Sequence, residues 1–190
     1  MCSTTDCRAR SGWLADRRRR RQVVAGLLLA AAVPLLLGAA GARLNTTSSL
    51  AYGVYWVQHH APEPGRYASF CPLLERPVFA LANERGYLRP GNCPGGVRPL
   101  LKRVMAAAGD VVAIDARGVH VNGRLLPHSR PLRADGAGRP MPVLVLGERR
   151  LGHDELLLMS DVNGNSFDAR YFGPITRWQV DEVLRPVWTW

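Results

Sequence analysis

The stretch VVAGLLLAAAVPLLLGAAGA, Val23 to Ala42, constrains this 190-residue chain more than any other. It carries no charge over about 20 residues, the length a helix needs to cross the hydrocarbon core of a bilayer. Pro34 lies inside it, and membrane-spanning helices tolerate such a residue. Ahead of it, residues 1–22 hold seven arginines (Arg8, Arg10 and Arg17 to Arg21) against Asp6 and Asp16. A basic block beside an apolar span marks the end that stays in the cytoplasm. The expected organisation is a basic cytoplasmic tail at 1–22, a transmembrane anchor at 23–42 and a periplasmic body at 43–190. A cleaved signal peptide ending in GAAGA is the alternative. The apolar run exceeds a typical signal core, which favours an uncleaved anchor in the inner (cytoplasmic) membrane.

The same arginines explain much of the charge. Of the formal net +10, seven arginines less two aspartates place +5 before the apolar run. The basic balance therefore reads as membrane topology, and no nucleic acid partner is expected. The bilayer is the expected partner surface.

The four cysteines divide by compartment. Cys2 and Cys7 fall in the cytoplasmic tail, where thiols stay reduced. Cys71 and Cys93 fall in the exported body, each followed by proline, and read as a disulfide. No CxxC spacing or nearby histidine pair completes a metal site. A bridge closing a loop of on the order of 20 residues stabilises a fold by about 3 kcal/mol.

After residue 42, short alternating apolar runs between scattered prolines and glycines predict a mainly β body. The expected strands are 78–82 (VFALA), 100–106 (LLKRVMA), 111–115 (VVAID), 156–160 (LLLMS) and 179–184 (QVDEVL). VHVNGRLL reads as a hairpin turning at Asn122-Gly123, a pair suited to a type I′ turn. Residues 127–142 read as a long exposed loop. No long amphipathic helix is expected in the body.

Within this arginine-rich chain Lys102 is the sole lysine. With a period of two, Leu100, Lys102, Val104 and Ala106 share one strand face, so the amine projects among apolar neighbours. Desolvation lowers the pKa of a buried lysine. A neutral amine can then act as a general base, a role closed to arginine, whose guanidinium keeps its proton. A snorkelling strand lysine with its head in water is the plainer alternative.

A base needs a nucleophile. NTTSSLAYGVYW, Asn45 to Trp56, crowds four hydroxyl side chains beside a glycine just after the apolar run. It is either a solvated linker or a nucleophile held near the bilayer. A Ser–Lys dyad is a known form of activated nucleophile.

TTSSLAYG, LLKRVMAAAGD and NSFDARYFGP resemble, in order and character, three boxes of the type I signal peptidases. The N-terminal anchor, NCPGG, GVHVNGRLLP and the short length resemble the TraF-type branch, the conjugative-transfer peptidases. The resemblance covers nearly everything from residue 43 onward. It implies a signal peptidase-like β-fold with one N-terminal transmembrane helix and a groove facing the membrane. It places the nucleophile on Ser49, with Ser48 as a minor competitor, and the general base on Lys102. Thr47 and the Ser49 backbone N–H match the oxyanion donors. Ser166 matches the residue that hydrogen-bonds the lysine amine, and Asp168 and Arg170 match a supporting ion pair. The family commonly has proline where this chain has Ala51, which implies a less rigid turn.

The resemblance also implies a membrane-embedded pilin precursor or preprotein as substrate, and chemistry that needs no cofactor. The acyl-enzyme passes to water or, in relatives acting on conjugative pilin, to the pilin's own amino terminus. Two further readings stand beside this one. One is a general signal peptidase acting on many secreted preproteins. The other is a non-enzymatic, membrane-anchored assembly protein of a secretion apparatus, which gives the lone lysine no role. The five histidines show no HExxH or GxSxG pattern, and a fold-assembled Ser-His-Asp triad is the remaining enzymatic rival.

Overall fold

A computed structural model describes residues 4–190, with side chains from residue 18 onward. The expectation for Cys2 and for the Cys7 thiol lies outside the described residues. The chain divides into two compact units, residues 1–42 and 43–190. In the first, α1 (Thr4–Ala39) runs through the junction expected between tail and anchor and contains Pro34. Its Arg18–Ala39 segment is long and apolar enough to cross a membrane.

From the end of α1 onward the elements are β1 (Ala42–Asn45), β2 (Gly53–Gln58), β3 (Tyr67–Phe70), α2 (Pro77–Glu84), β4 (Leu100–Ala106), β5 (Val111–Ile114), β6 (Val119–Val121), β7 (Arg124–Leu125), β8 (Leu146–Arg150), β9 (Glu155–Met159), α3 (Ala169–Phe172), β10 (Ile175–Thr176) and β11 (Val180–Thr189). Among the described residues the strands form two sheets. The larger has the order β1-β2-β11-β3-β4-β9-β10, and the smaller β7-β6-β5-β8.

The mainly β expectation holds, and the sequence pattern explains most of it. Leu156 to Met159 are all fully buried, as a continuous apolar strand with both faces covered should be. They pack with Phe70, Phe79, Val104 and Phe172 in the main core. The Asn122-Gly123 turn joins β6 to β7 with φ of 51° and 77°, the left-handed pair a type I′ turn needs. Gly53 opens β2 at φ +148°, where a Cβ would stand 2.1 Å from the Trp188 carbonyl oxygen of paired β11. Only glycine fits there.

One expectation needs correction. Residues 78–82 lie in α2, not in a strand. Pro77 sits at the first helical turn, where its missing N–H costs nothing, and Phe79 and Ala82 turn inward at helical spacing. A short apolar run fits either period, and the proline decided it. Residues 127–142 form the expected loop, largely exposed, and Asp135 and Arg85 pin parts of it. The Asp135 carboxylate accepts from the Ala137 and Arg139 N–H groups at 2.9 Å, from the Arg139 side chain and from the Tyr87 hydroxyl. Arg85, at the end of α2, donates to the Pro140 carbonyl at 2.7 Å.

Cys71 and Cys93 are joined, with Cα atoms 5.4 Å apart. The bridge links the chain just beyond β3 to the loop that leads into β4.

Candidate active site

β4 lies between β3 and β9, and its burial alternates as the period of two predicts. Lys102, Val104 and Ala106 are buried, while Leu101, Arg103 and Met105 are half-buried. Lys102 pairs across the ladder with fully buried Ala68, whose small side chain leaves room for the long amine stem. Lys102 is 2 % exposed. Desolvation lowers its pKa from 10.5 to about 8, with Asp168 opposing the shift and Arg170 adding to it.

Asp168 and Arg170 are wholly buried. The carboxylate accepts from Arg170 Nε at 2.8 Å, Arg170 Nη2 at 2.9 Å, the Arg170 backbone N–H at 3.2 Å and the Ser160 N–H at 3.0 Å. Burial raises the Asp168 pKa, while Arg170, Lys102 and the Ser160 N–H oppose the rise. Four N–H groups aimed at two oxygens favour the ionised carboxylate. The pair is then neutral as a unit. A protonated Lys102 beside it would leave one net buried positive charge, so the neutral amine suits the cluster.

A groove of about 620 Å³ brings the first two sequence boxes together, with Asn45, Thr47, Ser49 and Lys102 among its lining residues. No histidine lines it. The Ser166 hydroxyl donates to Ser49 Oγ at 3.2 Å, which brings the third box to the same place. Its described hydrogen bond is to this serine rather than to the lysine amine. Ser48 is turned elsewhere: its carbonyl and hydroxyl oxygens accept from Asn163 Nδ2 at 3.0 and 3.3 Å. Thr47 also lines the groove, and its hydroxyl donates to Asn45 Oδ1 at 2.8 Å.

The turn around Ala51 is held by side-chain hydrogen bonds. Leu50 is buried, and the Ala51 carbonyl accepts from Asn45 Nδ2 at 3.0 Å and from the Tyr55 hydroxyl at 2.9 Å. Asn45 and Asn163 are the polar residues that sequence reasoning passed over. Asn45, two positions before Thr47, carries the signature of an Asx turn. Asn163 carries the same signature, its Oδ1 accepting from the Asn165 N–H at 2.8 Å, but nothing in the sequence signals its bond to the distant Ser48.

Residues 74–188 match the family model for signal peptidase, peptidase S26. The chain belongs to the peptidase S26, signal peptidase family. It is 53 % identical over 152 residues to a plasmid transfer protein TraF of Escherichia coli, covering 80 % of this chain and 85 % of that one. It is 38 % identical over 152 residues to the conjugal transfer protein TraF of Agrobacterium tumefaciens, covering 78 % and 83 %. A signal peptidase I structure from Enterococcus faecalis superposes with a TM-score of 0.38 at 15 % identity, over 67 % of this chain and all of that one. Peptidase S26 membership implies serine peptidase chemistry on a preprotein substrate. The family match spans Lys102, Ser166, Asp168 and Arg170 and begins beyond Ser49.

Proposed function

We propose that this chain is a membrane-anchored endopeptidase that processes a conjugative pilin precursor, or a related exported membrane protein, through a Ser49–Lys102 dyad. The tail lies in the cytoplasm, α1 anchors the chain in the inner membrane, and residues 43–190 work in the periplasm. Few residues separate α1 from Ser49, which suits a substrate that is itself embedded in the bilayer. The observation that carries the reading is the state of Lys102. The chain's one lysine is buried, has its pKa lowered to about 8 and lines the same groove as Ser49.

The reaction follows from these groups. Ser49 Oγ attacks the scissile carbonyl while neutral Lys102 takes the hydroxyl proton. The Ser49 backbone N–H and the Thr47 hydroxyl stabilise the tetrahedral oxyanion, each donor worth about 3 kcal/mol. The Lys102 ammonium then protonates the leaving amine, the C–N bond breaks and an acyl ester remains on Ser49. Water releases an acid; the substrate's own amino terminus releases a cyclic product lighter by one water.

Lys102→Arg tests the reading. It keeps positive charge and much of the length, but guanidinium cannot accept the Ser49 proton. Processing of the pilin precursor in cells should fall by orders of magnitude, read by mass spectrometry of the product. Full processing by a folded Lys102→Arg protein would refute the dyad. A general signal peptidase is distinguished in the same cells, because its loss would leave many preproteins uncleaved rather than one.

A further inference from the structure

We infer that Asn45 is a positioning residue for the reaction: its side-chain amide fixes the turn that carries Ser49 and receives the Thr47 hydroxyl proton until an oxyanion draws it away. The inference rests on the reading of Ser49 as nucleophile and Thr47 as oxyanion donor.

Asn45 is buried at the end of β1 and lines the groove. Its Nδ2 faces three carbonyl oxygens, those of Thr47 at 3.1 Å, Leu50 at 3.3 Å and Ala51 at 3.0 Å. Its Oδ1 accepts from the Thr47 backbone N–H at 3.1 Å and from the Thr47 hydroxyl at 2.8 Å. The chemistry of the partners fixes the orientation of the amide. Carbonyl oxygens only accept and a backbone N–H only donates, so the nitrogen must face the former and the oxygen the latter. Aspartate at this position would set an oxygen against three carbonyls, and alanine would leave all of them without this partner. The residues so clamped flank Ser49 on both sides.

The two bonds to Oδ1 have different fates. A hydroxyl has one proton, so a Thr47 hydroxyl that donates to Asn45 cannot at that moment donate to an oxyanion. Rotation about its C–O bond can redirect that proton without moving the backbone. The Thr47 N–H then still holds Oδ1, and the turn keeps its shape while the hydroxyl serves the developing charge. Asn45 thus holds the oxyanion donor in place without competing through a charge.

The test uses the full chain in detergent micelles and the burst of p-nitrophenol from p-nitrophenyl acetate, whose attack passes through the same oxyanion. Asn45→Asp should slow acylation by about tenfold or more, because a small misplacement of the attacking group is costly. In Asn45→Ser, which brings no charge into the groove that Lys102 also lines, the midpoint of the pH profile should stay at the wild-type value. Asn45→Ser can still accept from Thr47 but cannot span three carbonyls, and should fall between wild type and Asn45→Asp. It decides the matter if Asn45→Asp fails to fold. Acylation within about threefold of wild type in the folded variants overturns the inference. So does a midpoint that moves with the rate in the uncharged Asn45→Ser, since general loosening around Lys102 would do that. A burst that survives in Ser49→Ala overturns the nucleophile assignment itself, a failure distinct from that of Asn45.

Discussion

Lys102 and Ser49 line one groove, yet the regions that carry them are built by opposite means. The lysine stands on β4 between two strands, among side chains that exclude water, with a buried ion pair nearby. Its chemistry is set by packing. The serine stands on a half-exposed turn held by hydrogen bonds from Asn45, Tyr55, Asn163 and Ser166. Its position is set by local polar contacts. The difference teaches that the core tunes the proposed base, whereas side-chain bonds to the backbone aim the proposed nucleophile.

The largest expected effect lies on the turn. Ser49→Ala should abolish precursor processing, because the proposed mechanism carries the acyl chain on Ser49. Ser48→Ala should leave most of it, because Ser48 is occupied with Asn163. An immunoblot of precursor and product in cells reads both. The reverse pattern would move the nucleophile by one residue.

On the core side the heaviest cost falls on stability. Asp168→Asn removes the charge that partners a fully buried Arg170 and should destabilise the body by about 3–5 kcal/mol, measured by urea unfolding of the full chain. Whatever activity remains should appear at lower pH. Asp168 raises the Lys102 pKa, so loss of its charge lets Lys102 deprotonate earlier as pH rises. A shift to higher pH would break the electrostatic half of the comparison.

A smaller effect should come from the covalent link between β3 and the approach to β4. Reduction of Cys71–Cys93 should lower stability by about 3 kcal/mol by the loop-closure account and leave the pH dependence of the reaction in place. Unchanged unfolding in the reduced protein would show that the bridge adds nothing to the fold.

The two regions were also unequally legible in the sequence. The β4 register follows from the alternation of Leu100 to Ala106, and Lys102 stands out as the only lysine. The Asn122-Gly123 hairpin is equally local. By contrast, VFALA carries too few residues to tell a helix from a strand, and Pro77 had to be weighed against the β pattern around it. The bond from Ser166 to Ser49 and the contact of Asn163 with Ser48 join residues more than a hundred positions apart. No periodicity reports such contacts. The resemblance put Ser166 near the site, and the fold gave it a different partner from the one expected.

Packing is proposed to make Lys102 a base at near-neutral pH, and the pH dependence of wild-type acylation tests this most directly. The rate should rise with pH as Lys102 loses its proton, with a midpoint near its lowered pKa of about 8. A midpoint near 10.5, the ordinary lysine value, would mean that burial does not tune the amine. A midpoint near about 6.5 would point to a histidine and contradict the Ser49–Lys102 account.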